Sequence, residues 1–221
     1  MQHFDNELAE LKQKLLTMAS HAEKSVRDAI RALNDRDYDL AIRVRESDTI
    51  IDRFEVEVDD MAIQMLAKAP LASDLRFIAV AMKISQNLER VGDEATKIAN
   101  RARDLSQEPP LKIDTQIPRI ANLALEMLRS SLDSFVKLDA ASARALIPRD
   151  REVDALNKQM QRDLALRMTA DPDTIMRCLH LMVIVKSLER IADHAKNVAE
   201  EVVYLCEAQD IRHSGQTAAA G

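Results

Sequence analysis

Glycine is almost missing from this chain: of 221 residues only Gly92, Gly215 and Gly221 lack a side chain, tryptophan is absent, and aromatic residues make up 3%. That scarcity argues against strands and tight hairpin turns, and it leaves no glycine-rich phosphate loop and no nucleophile elbow. No apolar run, Leu181 to Val185 included, approaches the roughly 20 residues that cross a bilayer. The N-terminus, Met1 to Glu7, has early acids where a secretory signal has an apolar segment, so a cytoplasmic protein is expected. Cysteine is limited to Cys178 and Cys206, 28 residues apart on one expected helix. About 42 Å of helix separates them, too far for a disulfide, and both are expected to stay reduced. A concentrated basic face is missing too: the net charge is −6, with Lys and Arg interspersed among Asp and Glu. Phosphate-backbone contacts need clustered cations, so a nucleic-acid binder is not expected.

What remains, 47% hydrophobic and 31% charged residues, is the makeup of long amphipathic helices. Within it, Glu89-Arg90-Val91-Gly92-Asp93 returns as Glu189-Arg190-Ile191-Ala192-Asp193, one hundred positions later. Aligning residues 74–102 with 174–202 gives eight identities, of which only the Glu, Arg and Asp are polar. Apolar repetition is what a duplicated core requires. A duplicated solvent face is free to drift, so acids held in both copies need another cause.

Apolar or small residues at Leu8, Leu11, Leu15, Met18, Ala22, Ser25, Ala29 and Ala32 give the first helix one buried face. Asn34 to Asp37 interrupts it, and a short helix through Val44 is expected to lead into a long one with Ile51, Phe54, Val58, Met61 and Met65 inside. Pro70 and Ser73 read as the stop of that helix and the cap of the next, whose seam runs from Phe77 through Leu88 and Val91 to Leu105. Pro109-Pro110 breaks the chain, and the pattern restarts in a fourth helix over 115–138. Leu138-Asp139-Ala140-Ala141 matches the earlier turn at an offset of 102, Pro148 precedes the fifth helix, and Asp171-Pro172 reads as the N-cap and first position of the sixth. The expected fold is all-α: two tandem, pseudo-symmetric three-helix bundles over 1–108 and 111–208, each with its own core, and a loose tail over 209–221.

Glu89 and Asp93 fall on a stripe of the third helix pointing away from its seam, with Gln86, Thr96 and Asn100. Like charges four residues apart repel by a few tenths of a kcal/mol, a sign that a bound cation reverses. On the second helix Asp48, Asp52, Glu55 and Asp59 form a similar stripe; their counterparts are Asp150, Asp154, Asn157 and Gln161. Two neighbouring helices offering Asp48 with Asp52 and Glu89 with Asp93, and again Asp150 with Asp154 and Glu189 with Asp193, bring four carboxylates together twice. Such oxygen-rich sites suit magnesium, calcium or manganese, and carboxylates also take iron and zinc. The bland alternative is a pair of solvated acidic faces. Gly92 and Ala192 fit either close helix approach or ordinary small surface residues, and Arg90 and Arg190 either orient carboxylates or form plain surface ion pairs. The di-iron Glu-x-x-His motif is not met, since Ala192 follows Glu189 at the required spacing, and His194 reads as a flank residue. His21-Ala22-Glu23-Lys24 has only a faint likeness to the His-x-x-Lys of phosphotransfer bundles.

With two tandem bundles, Pro-Leu-Ala-Ser-Asp-Leu-Arg at Pro70 to Arg76, and Leu-Glu-Arg-(Val/Ile)-(Gly/Ala)-Asp in both third helices, residues 4–208 resemble the PhoU family of bacterial phosphate-uptake regulators. The resemblance implies a non-catalytic protein that restrains phosphate import and the phosphate-starvation response. It further implies contacts with the ATPase of the phosphate ABC transporter and with a phosphate-sensing histidine kinase, so that the membrane is reached through partners only. A homodimer is expected. The family's Glu/Asp-x-x-x-Asp motifs, associated with surface metal clusters of iron, zinc, manganese or magnesium, correspond to the four acid pairs named above. Asn157 opposite Glu55 departs from symmetry, so the two sites are expected to differ. A metal-dependent hydrolase using the same acids is the alternative, and a structural bundle without metal is a third reading.

Overall fold

A computed structural model of the chain describes residues 2–69, 71–111 and 116–211, and the regular structure among them is helical. The helices are α1 (Gln2–Asp35), α2 (Tyr38–Leu66), α3 (Ala72–Ser106), α4 (Ile117–Lys137), α5 (Ala140–Leu146), α6 (Asp150–Ala170) and α7 (Ile175–Glu207). α1, α2 and α3 pack on one another as a first bundle, and α4, α5, α6 and α7 as a second. This is the expected all-α architecture.

The duplicated turn is visible at backbone level. Arg36 and Leu138 both adopt left-handed conformations, φ 55° and 51°. Asp37 and Asp139 then cap the following helices, accepting from Leu40 N at 2.8 Å and Ser142 N at 3.0 Å. Non-glycine residues pay about 1–2 kcal/mol for that conformation. Arg36 offsets it by donating to the carbonyls of Leu105 (2.7 Å), Ser106 (3.2 Å) and Glu108, groups that the end of α3 leaves without helical partners.

Three local expectations fail for identifiable reasons. α2 runs unbroken from Tyr38, with no separate short helix to Val44. In the second half the same stretch does break, into α5, a single 3₁₀ turn over Ile147–Arg149, and α6, because Pro148 removes a helical donor where the first half has Glu46. Ser73 is not a cap: α3 is preceded by Leu71, whose side chain accepts nothing, and Pro70 lies outside the described residues. Asp171 does not cap α7 either; its carboxylate takes Arg167 at 2.8 Å, and Pro172–Thr174 form a 3₁₀ turn before α7 begins. Residue 115 of the expected fourth helix and 212–221 of the expected tail also lie outside the described residues.

The expectation of two separate cores is corrected as well. The long helices α3 and α7 pack along each other, and one continuous apolar cluster runs through both bundles. Each of these helices is buried on more than one face: in α3 the adjacent Val80 and Ala81 are both fully covered, in α7 both Ile184 and Val203. Phe77 stacks on Phe135 across the junction, ring centres 5.8 Å apart. Polar contacts finish the seam. Buried Glu94 of α3 accepts from Lys97 at 2.8 Å and from Arg190 of α7 at 3.2 Å, and Lys83 meets Glu201 at 3.1 Å.

Candidate metal centre

The acids of the first half face one another across the α2–α3 contact. Gly92 shows how close the helices come: a Cβ added there would lie 2.9 Å from both Asp48 Oδ1 and Ile51 Cδ1. Close helix approach is thus the reason for this glycine. It brings the Asp48, Asp52, Glu55 and Asp59 edge of α2 against the Glu89 and Asp93 edge of α3, so these acids are not outward in the sense expected. Glu89 is only 16% exposed and Asp93 35%.

Proton affinities report the crowding. Burial, then the charge of Asp93, pushes the Glu89 carboxyl up to about 7, against the opposing pull of Arg90 and with Glu55 and Asp52 adding to the rise. Burial also raises Glu55, whose neighbours Asp59, Asp52 and Asp93 add to the effect while Arg90 opposes it. Asp48 is raised by burial and by Asp52 and Asp93, although Thr96 donates to it. Arg90 donates to Asp93 at 3.0 Å, and its Nε stands 3.3 Å from Glu89 Oε2. That oxygen is buried and accepts no hydrogen bond. Six carboxylates against one guanidinium leave a strongly negative edge suited to a hard cation.

The second half repeats the layout and changes the charge. Asn157 and Gln161 stand where the first half has Glu55 and Asp59, and Gln161 is spent on Asn157 Oδ1 and the Met182 carbonyl. Lys196, counterpart of Thr96, puts its ammonium 3.2 Å from Asp150 and 3.4 Å from Asp193. Lys186 pairs with Glu189 at 2.5 Å. Burial still raises the Asp150 carboxyl, with Lys196 opposing and Asp154 and Asp193 adding. Burial disfavours the Lys196 charge, yet its two carboxylates lift its pKa above the ordinary value. A tethered cation thus stands among the acids of the second site.

In both halves the structure places all four sequence-derived acids on the α2–α3 and α6–α7 edges. Among the described residues, however, no three His, Cys, Asp or Glu side chains stand close enough together to hold an ion without rearranging. Of these acids only Asp52 is exposed, and the others are half-buried. Asp48, Asp52, Glu89 and Asp93 would meet at one ion only after rotation of their side chains. His194 stays outside: it lies on the α3–α7 seam, Nδ1 3.0 Å from Asn87 Oδ1, with burial holding its pKa below the ordinary histidine value.

The PhoU domain family model matches residues 15–102 and 117–202. The chain belongs to the PhoU family. The phosphate-specific transport system accessory protein PhoU homolog of Pseudomonas aeruginosa is 40% identical over 98% of this chain and 90% of its own length. The PhoU accessory protein of Escherichia coli K12 is 33% identical over 96% and 88%. Among solved structures, PhoU from Pseudomonas aeruginosa superposes with a TM-score of 0.90 at 39% identity, covering 93% of this chain and 100% of that one. The phosphate transport system regulatory protein PhoU from Streptococcus pneumoniae superposes with a TM-score of 0.88 at 28% identity, covering 94% and 99%. The fold is two tandem PhoU domains.

Within this PhoU chain, two residues that decide the charge of each site escaped the sequence reading. Thr96 lies on the acidic stripe with no charge of its own, and Lys196 differs from it in type and so is invisible to a search for identities between the copies. Comparing the two copies position by position, for charge as well as identity, signals both.

Proposed function

We propose that this chain is a non-catalytic regulator of phosphate uptake: a helical adaptor between the phosphate ABC transporter and a phosphate-sensing histidine kinase, bearing a metal site on its α2–α3 edge. The relatives' names, phosphate-specific transport system accessory protein and phosphate transport system regulatory protein, support the transport role. The observation carrying the metal reading is the crowded first-half edge, with Glu89 lifted to about 7 beside Asp93. Asp48, Asp52, Glu89 and Asp93, helped by Glu55 and Asp59, would hold a hard cation there, and the ion would supply positive charge that locks α2 to α3. Asp150, Asp154, Glu189 and Asp193 form the weaker site, because Lys196 already neutralises two of them.

Two long rigid bundles sharing one core suit an adaptor, since force or strain at one helical face reaches the other without a hinge. No helix among the described residues is long and apolar enough to cross a membrane; in this reading the protein is cytoplasmic and meets the membrane through partners. A homodimer belongs to the same reading. The test is co-purification of the intact protein with the transporter ATPase and with the kinase, at high and at low phosphate. Capture of either partner that weakens when Glu89 and Asp93 are both changed to Ala supports the reading. No capture of either under any phosphate level overturns the adaptor role, and metal analysis of the same samples judges the site separately.

A further inference from the structure

A cleft of about 400 Å³ separates α1 from α2, on the side of the first bundle away from the acidic edge. Its α1 wall carries His21, Lys24, Ser25, Asp28 and Arg31, and its α2 wall adds Arg43 above a floor of Leu40, Val44 and Ile50. Three permanent cations thus face one carboxylate. Asp28 is shared by Lys24 at 2.5 Å and Arg31 at 3.5 Å, and Arg43 reaches only the Asp37 carboxylate outside the cleft, at 4.0 Å. At the inner end His21 lies against the Phe54 ring, centroids 5.7 Å apart, and Ser25, a residue 8% exposed, lines the wall.

The internal duplication supplies a control. The second bundle keeps a cleft of about 320 Å³ at the matching place between α4 and α5. At the offset of 102, Lys24, Arg31 and Arg43 become Glu126, Asp133 and Ala145. The fold is built equally well with two acids and an alanine at these three positions, the second cleft having Lys137 and Arg149 beside Asp133 and Asp139 instead, so packing does not require cations at these places. Guanidinium groups present planar forks that match the oxygens of a phosphoryl group, and two of them with an ammonium in a concave site make an anion receptor. The volume falls in the range of sites that hold a whole small molecule, and the apolar floor gives an organic body somewhere to lie.

We propose that the α1–α2 cleft binds a phosphoryl group, free or carried on a small organic molecule or lipid headgroup, with Arg31 and Arg43 as its principal contacts and Lys24 assisting. The site is separate from the acidic edge and does not depend on metal there. Calorimetric titration of the full chain with inorganic phosphate, pyrophosphate and AMP, and flotation with vesicles containing phosphatidic acid, distinguishes the sources. Binding of at least one probe at millimolar concentration or below is expected, weakened about tenfold or more in Arg31→Gln with Arg43→Gln and unchanged by Lys137→Gln in the counterpart cleft. Both arginine side chains are 60% exposed, so the double variant is expected to fold, and an unchanged melting temperature checks this. Introducing Asp133→Arg with Ala145→Arg is expected to confer binding on the second cleft. Absence of binding by every probe, or an affinity that the double variant leaves unchanged, overturns the proposal.

Discussion

Lys196 donates to Asp150 at 3.2 Å at the position where the first half sets Thr96 against Asp48. This substitution between the two copies thus exchanges a neutral hydroxyl for a tethered cation, in an edge that has also replaced Glu55 and Asp59 by Asn157 and Gln161. An ammonium among carboxylates satisfies the electrostatics that would otherwise draw in an ion, and it must leave before a metal can bind. The purified protein is therefore expected to hold metal predominantly in its first half. Thr96→Lys should lower metal content, read by elemental analysis after dialysis, while Lys196→Thr should raise it and tighten metal binding by an order of magnitude or more. Equal metal content in all three proteins contradicts the assignment.

The raised Glu89 carboxyl fixes a direction for stability against pH in metal-free protein. Its folded value, about 7, lies above the unfolded value of about 4.5, so between these the folded state binds the extra proton. Stability from this group is therefore complete below pH 4.5, falls as pH rises to 7, and is flat above. The loss is on the order of 1 kcal/mol per pH unit at most, since a rim open to water screens part of it. Glu89→Gln is expected to raise the melting temperature at pH 8 in chelator and to leave it unchanged near pH 4. Added divalent cation should stabilise wild type at pH 8 more than this variant.

Helices, halves and the acid pairs were legible in the sequence because each rests on a local or repeated pattern. The 3.6-residue spacing of Leu88, Val91 and Ala95 marks a buried stripe wherever it occurs, and the turn that ends at Asp37 returns at Asp139. What escaped depends on contacts between distant segments. Val80 and Val203 lie off the main seams, and their full burial follows only from α3 packing on α7. Glu94 and His194 differ between the copies and so looked like drifted surface. They face opposite sides of the junction, where Glu94 gathers Lys97, Ser187 and Arg190 and His194 meets Asn87. Gly92 was equally consistent with two readings until the distance to Asp48 decided between them.

That distance makes Gly92 a test of site geometry as distinct from charge. Alanine gains about 1 kcal/mol of helix propensity over glycine, yet its Cβ would press on Asp48 Oδ1 and Ile51 Cδ1, both movable side-chain ends. The two effects roughly cancel in stability, and Ala192 shows that the second half tolerates the methyl while fully buried. Asp48, however, must turn. Gly92→Ala is expected to melt within a few degrees of wild type while losing metal affinity, and Gly92→Leu to lose about 1–3 kcal/mol by overpacking.

Glu94 decides how firmly the two bundles are joined. Burial works against its ionisation, but hydrogen bonds from Lys97, Ser187 and Arg190 hold its carboxyl below the usual range. Its stabilising contribution is therefore present above the unfolded value near 4.5 and is lost as pH falls through the lower folded value. Glu94→Gln is expected to cost about 1–3 kcal/mol in urea unfolding at pH 7, with a penalty that shrinks as pH is lowered toward 3. Arg190→Met should cost less than about 1 kcal/mol, because that side chain is 53% exposed, solvent screens it, and Lys97 and Ser187 remain on the carboxylate. A double-mutant cycle separates the pair from its surroundings. If Glu94→Gln is as harmless at pH 7 as at pH 3, the carboxylate is not what ties α3 to α7, and the junction rests on the apolar contact of Phe77 with Phe135 and its neighbours.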